Sequence, residues 1–105
     1  MQDIRRRYAG IELEDKSNVY NTDLIQALEL GAMIDVAGAI AVSALERKES
    51  RGTHQRLDHE QRDDETYLKH SLAHYVAGGD PRIDYRDVVI TRSEPGERVY
   101  GGKAT

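Results

Sequence analysis

One segment limits the possible folds of this chain more than any other, the run LGAMIDVAGAIAVSAL at residues 30–45. Apolar residues recur there at helical steps of three and four, and Asp35 is its one charged residue. A helix that is apolar on nearly every side must be buried on several sides. Gly31 and Gly38 each cost up to about 1 kcal/mol of helix propensity, which close packing against a neighbour has to offset.

The helix is predicted to extend over about residues 21–49. Asn21 is a good N-cap, and Asp23 falls in the first turn, where the helix dipole favours a negative charge. Such a helix is about 43 Å long, which exceeds what a domain of 105 residues can cover by itself. Only 38% of the residues are hydrophobic, and Phe and Trp are absent. We therefore expect a domain that belongs to a larger protein.

The rest of the chain predicts an α+β fold, with a small helical bundle around the long helix and a C-terminal β-hairpin. Residues 3–8 resemble the last turns of a helix that ends at Gly10, and residues 50–65 form a polar surface loop with Gly52 as its pivot. Residues 66–76 are compatible with helix or strand. Because residues 77–81, AGGDP, are a turn signal and residues 82–91 alternate, a hairpin of 66–76 and 82–91 is favoured. The chain is interpreted as one domain, 1–105, divided into 1–49, 50–65 and 66–105.

Charge and composition argue against several classes of protein. The net charge is −4 and no basic block is present, so we expect no nucleic-acid partner. The absence of Cys argues against disulfides and thiolate metal sites and fits a reducing compartment, hence a cytoplasmic location. No signal peptide is recognisable. The apolar run at 30–45 is shorter than a bilayer requires, so direct membrane insertion is not expected.

Three local patterns imitate functional sites. His70 and His74 would share a face of a helix, but on a strand they lie about 13 Å apart, so no metal site is predicted. The tail GGKAT at 101–105 lacks the spacing of a phosphate-binding loop. The carboxylates of RDDE at 62–65 are more typical of a solvated loop or a helix cap than of acid–base catalysis.

The stretch KESRGTHQRLD at 48–58 is the strongest candidate site. Lys48 and Glu49 are interpreted as last-turn helix residues. Arg51 and Arg56 can each bind carboxylates or carbonyls with two hydrogen bonds. No nucleophile is nearby. A polar docking corner is favoured over a catalytic centre, with these residues as its candidates: Glu49, Ser50, Arg51, Gly52, His54, Arg56 and Asp58.

The motifs, taken in order, resemble a known family. They are NTDL at 21–24, ALERKESRGTH at 44–54, QRLD at 55–58, RDD at 62–64, LKHSLA at 68–73 and RVYGG at 98–102. As a set they resemble the C-terminal region of the flavoprotein subunit of the fumarate reductase and succinate dehydrogenase family. RVYGG is closer to the fumarate reductase branch. Threonine at position 53 replaces the commoner alanine.

The resemblance implies a fragment without catalytic, cofactor-binding or metal-binding residues of its own. In the family, FAD and the substrate-binding residues belong to the preceding part of a longer subunit. The enzyme that contains this subunit transfers electrons between FAD, iron–sulfur centres and fumarate or succinate. The implied partners are the flavin-binding remainder of the subunit and the iron–sulfur subunit. The implied location is cytoplasmic, with the parent complex peripheral on the cytoplasmic face of the inner membrane.

Two other functions remain open from the residues alone. A free-standing interaction module would use the apolar helix face to self-associate or to bind a partner. A hydrolase would use His54 together with the Asp-rich loop.

Overall fold

The computed structural model describes residues 1–96, and this part of the chain contains three helices and a two-stranded antiparallel sheet. Helix α1 spans Gln2–Ala9, α2 spans Thr22–Glu46, and the one-turn α3 spans Asp64–Tyr67. Strands β1 (Lys69–His74) and β2 (Arg82–Asp87) form the hairpin. The predicted α+β class is confirmed, as are the long helix and the hairpin.

Helix α2 begins where the sequence predicts and ends three residues earlier. The Asn21 side chain accepts a hydrogen bond from the Leu24 amide at 2.9 Å, so the predicted N-cap is confirmed. The predicted end at residue 49 is wrong. Arg47 already has extended backbone angles (φ −78°, ψ 102°), and Lys48 and Glu49 therefore leave the helix axis. With 25 residues, α2 is about 37 Å long.

Helix α1 packs against α2 at the two glycines. The Tyr8 hydroxyl donates to the carbonyl of Ala27 at 2.9 Å, and a Cβ at Gly31 would lie only 2.5 Å from that hydroxyl. A Cβ at Gly38 would lie 3.2 Å from Nη2 of Arg5, whose guanidinium pairs with Asp35. The glycines therefore form two notches that admit side chains of α1, which explains why α2 accepts their cost in helix propensity.

The hairpin is shorter than predicted. Its register runs from Lys69 opposite Asp87 to His74 opposite Arg82, so residues 66–68, 75–76 and 88–91 lie outside its strands. The predicted strand start at 66 is wrong because the Asp63 carboxylate accepts a hydrogen bond from the Thr66 amide at 2.9 Å and caps α3. The helix-cap interpretation of the RDDE segment is therefore confirmed at Asp63.

The described residues form almost no core. Ile34, on α2 beneath α1, is the one hydrophobic side chain among residues 1–96 that is buried. The Cα radius of gyration is 19.5 Å, whereas a compact domain of this length has about 13 Å. The chain is extended along α2, and most of the apolar surface of this helix is uncovered.

By length and composition, α2 could cross a membrane. An 18-residue window of it has a mean hydropathy of 1.7 and is 11% buried within the chain. The argument that the apolar run is too short to span a bilayer is therefore wrong, since the helix includes apolar residues before Leu30.

Candidate functional site

The site is built around Glu49. We use the name Glu49 corner for this residue together with the polar residues between 47 and 64 that contact it or one another. The Glu49 side chain has no exposed surface. Its Oε1 accepts from Nε of Arg51 at 2.9 Å, and its Oε2 accepts from Nη2 of Arg51 at 3.0 Å and from the amide of Asp63 at 2.9 Å. Oε1 also pairs with Nη1 of Arg47. The expectation that Glu49 is an ordinary last-turn residue is wrong.

Arg47 joins the corner to the hairpin. Its guanidinium donates to the carbonyls of Tyr67 at 2.8 Å and Lys69 at 2.5 Å, and to Oγ of Ser71 at 3.2 Å. Its Cζ also lies 5.5 Å from the centre of the Tyr67 ring. One side chain at the end of α2 therefore holds both α3 and the start of β1.

The charges alternate beyond Glu49. Nη2 of Arg51 donates to Oδ1 of Asp64 at 2.5 Å, and the other oxygen of Asp64 accepts from Nη2 of Arg62 at 2.7 Å. Arg62 also donates to the carbonyl of Gly96 at 2.8 Å. A chain of alternating ion pairs therefore runs from the end of α2 to the start of α3, and a hydrogen bond from Arg62 connects it to the segment after the hairpin.

A tight turn fixes the backbone of the corner. The amide of Arg51 donates to the carbonyl of His54 at 2.8 Å and the amide of His54 donates to the carbonyl of Arg51 at 3.0 Å, around Gly52 with φ +59°. Gly52 is thus the pivot that the sequence predicts. The ring Nε2 of His54 lies 3.1 Å from the carbonyl of Arg47. Buried Ser50 donates through Oγ to the carbonyl of His59 at 2.7 Å and accepts from the amide of Arg56 at 2.9 Å.

Arg56 caps the C-terminus of α2. Its Nη1 donates to the carbonyls of Leu45 at 2.7 Å, Arg47 at 3.2 Å and Ala44 at 3.3 Å. Carbonyls in the last turn of a helix have no partner within the helix, and a cation there also complements the helix dipole. Asp58 holds the Arg56 guanidinium with two hydrogen bonds of 2.8 and 2.6 Å.

The corner keeps its carboxylates ionised. Burial raises the pKa of Glu49, but hydrogen bonds from Arg51, the Asp63 amide and Arg47 outweigh it, so this pKa lies below its usual value. The hydrogen bond from Arg51 lowers the pKa of Asp64, and that from Arg56 lowers the pKa of Asp58 to about 2. The hydrogen bond to Glu49 raises the pKa of Arg51.

This arrangement suits a structural role, in which the carboxylates hold neighbouring elements together, better than acid–base catalysis. A general acid or base works best with a pKa near the operating pH, whereas these carboxylates are held in their charged form. Their oxygens already accept hydrogen bonds from side chains and amides of the same chain. What the geometry does is tie the end of α2 to α3 and the hairpin.

The structure brings together the seven candidates from the sequence and adds further residues. Glu49, Ser50, Arg51, Gly52 and His54 form the turn and the buried pair, while Arg56 and Asp58 form the cap. The added members are Arg47, Arg62, Asp63 and Asp64. Alternation of charge at positions 47, 49 and 51 is a signal that could have identified Arg47, because residues two apart share a face in extended backbone.

The other candidate patterns are not part of the corner. His70 and His74 both lie on β1, opposite Arg86 and Arg82. Across residues 1–96, no group of three or more His, Cys, Asp or Glu side chains could hold a metal ion. GGKAT at 101–105 and RVYGG at 98–102 lie outside the described residues.

The comparison with known families decides the identity. Residues 1–100 match the family model described as the C-terminal region of the fumarate reductase flavoprotein. The chain belongs to this family. The resemblance inferred from the motifs is therefore confirmed.

Members of the fumarate reductase flavoprotein family align along nearly the whole chain. The fumarate reductase flavoprotein subunit of Haemophilus influenzae is 55% identical over 102 residues, which are 97% of this chain and 17% of that subunit. A solved quinol fumarate reductase from E. coli has a TM-score of 0.87 at 48% identity and covers 97% of this chain and 18% of its own. The succinate dehydrogenase flavoprotein subunit of Rickettsia conorii is 42% identical over 107 residues, which are 95% of this chain and 18% of that subunit. The chain thus spans about a sixth of the length of these relatives.

Proposed function

We propose that this chain is a non-catalytic assembly domain at the C-terminal end of a fumarate reductase flavoprotein subunit. One observation carries the proposal. Helix α2 leaves most of its apolar surface uncovered, in a chain that spans about a sixth of the relatives it matches. The remainder of such a subunit supplies the protein that covers α2.

The uncovered apolar surface of α2 is extensive. Large apolar side chains are more than 35% exposed along the whole length of α2, at Leu24, Ile25, Leu28, Leu30, Met33, Val36, Ile40 and Leu45. Soluble monomers rarely expose a continuous apolar surface of this extent, and such surfaces mark interfaces. The Glu49 corner then serves to fix the end of α2, so that α2 and the hairpin dock as one body.

Protein suits this surface better than lipid. Asp35 lies in the middle of α2 and pairs with Arg5 of α1. A charged pair near the centre of a bilayer is costly, whereas at the edge of a protein interface it remains hydrated. We therefore propose that α2 docks on the flavin-binding remainder of the subunit and is not inserted in a membrane.

The proposal extends to the parent enzyme. FAD is bound by the remainder of the subunit, and electrons pass between FAD, iron–sulfur centres and fumarate or succinate. The iron–sulfur subunit is a second partner, and the complex is peripheral on the cytoplasmic face of the inner membrane. The fragment itself contributes packing and no reacting group.

An exchange of segments tests the proposal. In the H. influenzae subunit, the matching C-terminal segment is deleted in one variant and replaced by this chain in another, which we name the chimera. The chimera should retain FAD and reduce fumarate, whereas the deletion variant should lose FAD. In the chimera, Arg51→Lys and His54→Gln should leave fumarate reduction per bound FAD unchanged. The proposal would be contradicted by a chimera that lacks FAD or by a deletion variant that retains it. A loss of turnover in Arg51→Lys or His54→Gln at full FAD content would also contradict it.

Self-association is the second candidate, because the uncovered face of α2 would also fit a second copy of the chain. Sedimentation of the 105-residue chain and of the chimera distinguishes the two. Dimers of the chain that disappear in the chimera support docking on the flavoprotein. Dimers that persist in the chimera favour the interaction module.

A further inference from the structure

Hydrogen bonds that involve three of its own side chains brace the loop that precedes α2. Nδ2 of Asn21 donates to the carbonyls of Asp15 and Ser17, both at 3.0 Å. Oδ1 of Asp15 accepts from the amide of Ser17 at 2.8 Å, and Oγ of Ser17 donates to the carbonyl of Val19 at 3.3 Å. These contacts, together with the cap on Leu24, fix residues 15–21 relative to the start of α2.

Tyr20 has a strained backbone within this braced loop. Its φ is +52°, and it is the one non-glycine residue among residues 1–96 with a positive φ. Bulky residues rarely adopt this region, where the Cβ crowds the backbone, and glycine or asparagine usually occupies it. Strain of this kind persists only where the surroundings impose it, and it is concentrated at functional positions.

Among residues 1–96, the strain brings Tyr20 little contact. The residue is 94% exposed, and neighbouring Val19 is 69% exposed. Tyr20 immediately precedes the N-cap, a position from which an apolar side chain often packs on the fourth residue of the helix, here Ile25. Ile25 is itself 54% exposed, and the near-complete exposure of Tyr20 shows that its ring does not pack on Ile25.

We propose that Tyr20 is an aromatic anchor, presented in advance by the braced loop, that inserts into a pocket on the flavin-binding remainder of the subunit. The inference rests on the proposed function and names the residue on which docking depends most. Tyr20 is continuous along the chain with the uncovered apolar side chains of Leu24 and Ile25, so one partner surface covers all three. The 83% of the H. influenzae relative that lies outside the match to this chain is available as that partner.

The physical case is one of preorganisation. Tyrosine is among the residues that dominate interface energetics, because its ring buries a large area and few rotamers are lost on binding. A loop fixed before binding avoids the entropy cost of ordering it at the interface. The hydrogen bonds of the loop hold the positive φ before docking, and burial of the ring then stabilises the docked state.

A substitution with opposite effects in the free and the docked chain tests this anchor. Asparagine adopts positive φ more readily than tyrosine and lacks the ring. Tyr20→Asn should therefore leave hydrogen exchange of the α2 amides unchanged or slower in the 105-residue chain. In the chimera the same substitution should accelerate exchange of these amides about tenfold, because undocking becomes easier. Tyr20→Phe, which keeps the ring, should behave like the wild type in the chimera.

The matched control is Tyr75→Asn, at a tyrosine that is 79% exposed and has no positive φ. It should change α2 exchange in the chimera by less than about twofold. Equal effects of Tyr20→Asn and Tyr75→Asn would overturn the anchor and leave the proposed function intact. A faster exchange caused by Tyr20→Asn in the free chain as well would also overturn it, since the residue would then be structural. Failure of the wild-type chimera to retain FAD would overturn the proposed function and the anchor together.

Discussion

Glu49 and Arg51 face each other through two hydrogen bonds of 2.9 and 3.0 Å at the end of α2, and the carboxylate has no exposed surface. The pair is two residues apart in sequence, yet its remaining contacts reach α3. A buried carboxylate is tolerated only when its partners are all in place. The geometry of the corner therefore depends on each of its members.

Glu49→Gln should destabilise the domain by about 3 kcal/mol, because it leaves Arg47 without a carboxylate partner and Arg51 with Asp64 alone at a largely buried site. The measurement is the opening free energy of the Asp63 and α2 amides, obtained by native-state hydrogen exchange in the chimera. Glu60→Gln, at an exposed carboxylate, is the control and should change this free energy by less than about 0.5 kcal/mol. Equal effects of the two substitutions would show that the pair is not structural.

Arg51→Ala should lower the stability of the domain by about 1–3 kcal/mol, since Glu49 loses two of its hydrogen bonds and Asp64 loses one. Arg51→Lys should recover part of this loss, because an ammonium group keeps the charge but cannot bind both oxygens as a fork. Denaturant unfolding of the chimera, followed by circular dichroism, gives both values. A lysine variant as stable as the wild type would argue against the two-pronged geometry.

Acid should open the corner. Carboxylates whose pKa is lower in the folded state bind fewer protons there than in the unfolded chain, so their contribution is present above the unfolded pKa and is lost as pH falls. For Asp58 the loss extends from about pH 4 down to its folded pKa of about 2. Asp58→Asn should flatten the stability profile in this window, as measured by denaturant midpoints at successive pH values. A profile that keeps its slope would contradict the role of Asp58 beside Arg56.

Gly31→Ala should fail to stabilise α2 while Tyr8 is present. Alanine gains about 1 kcal/mol of helix propensity over glycine, but its Cβ would lie 2.5 Å from the Tyr8 hydroxyl and displace it from the carbonyl of Ala27. In a Tyr8→Ala background the same substitution should stabilise the domain by about 1 kcal/mol. A double-mutant cycle on unfolding free energies measures the coupling. No coupling would mean that α1 does not occupy the notch at Gly31.

Local chemistry made the start of α2 and the hairpin predictable. Asn21 identifies a helix start by its side chain alone, and the AGGDP turn separates the two strands. The end of α2 was not predictable in the same way. It depends on Arg56, ten residues beyond Glu46, and on Glu49 leaving the helix to meet Arg51 and Asp63.

The same limit explains the wrong interpretation of Glu49. A charged residue in a polar stretch is usually exposed, and only its contacts with Arg47, Arg51 and the Asp63 amide show otherwise. The Asp63 cap on α3 likewise shortened the predicted first strand. The uncovered face of α2, by contrast, followed from its apolar pattern, because nothing else in the chain is large enough to cover it.

Oxidation of Met33 tests the central claim most directly. This side chain is 59% exposed on α2 in the free chain, and peroxide converts exposed methionine to the sulfoxide. Mass spectrometry should show that Met33 oxidises at least about tenfold more slowly in the FAD-loaded chimera than in the dilute 105-residue chain. Equal rates in the two would mean that the flavin-binding part does not cover α2, and the assembly role would be contradicted.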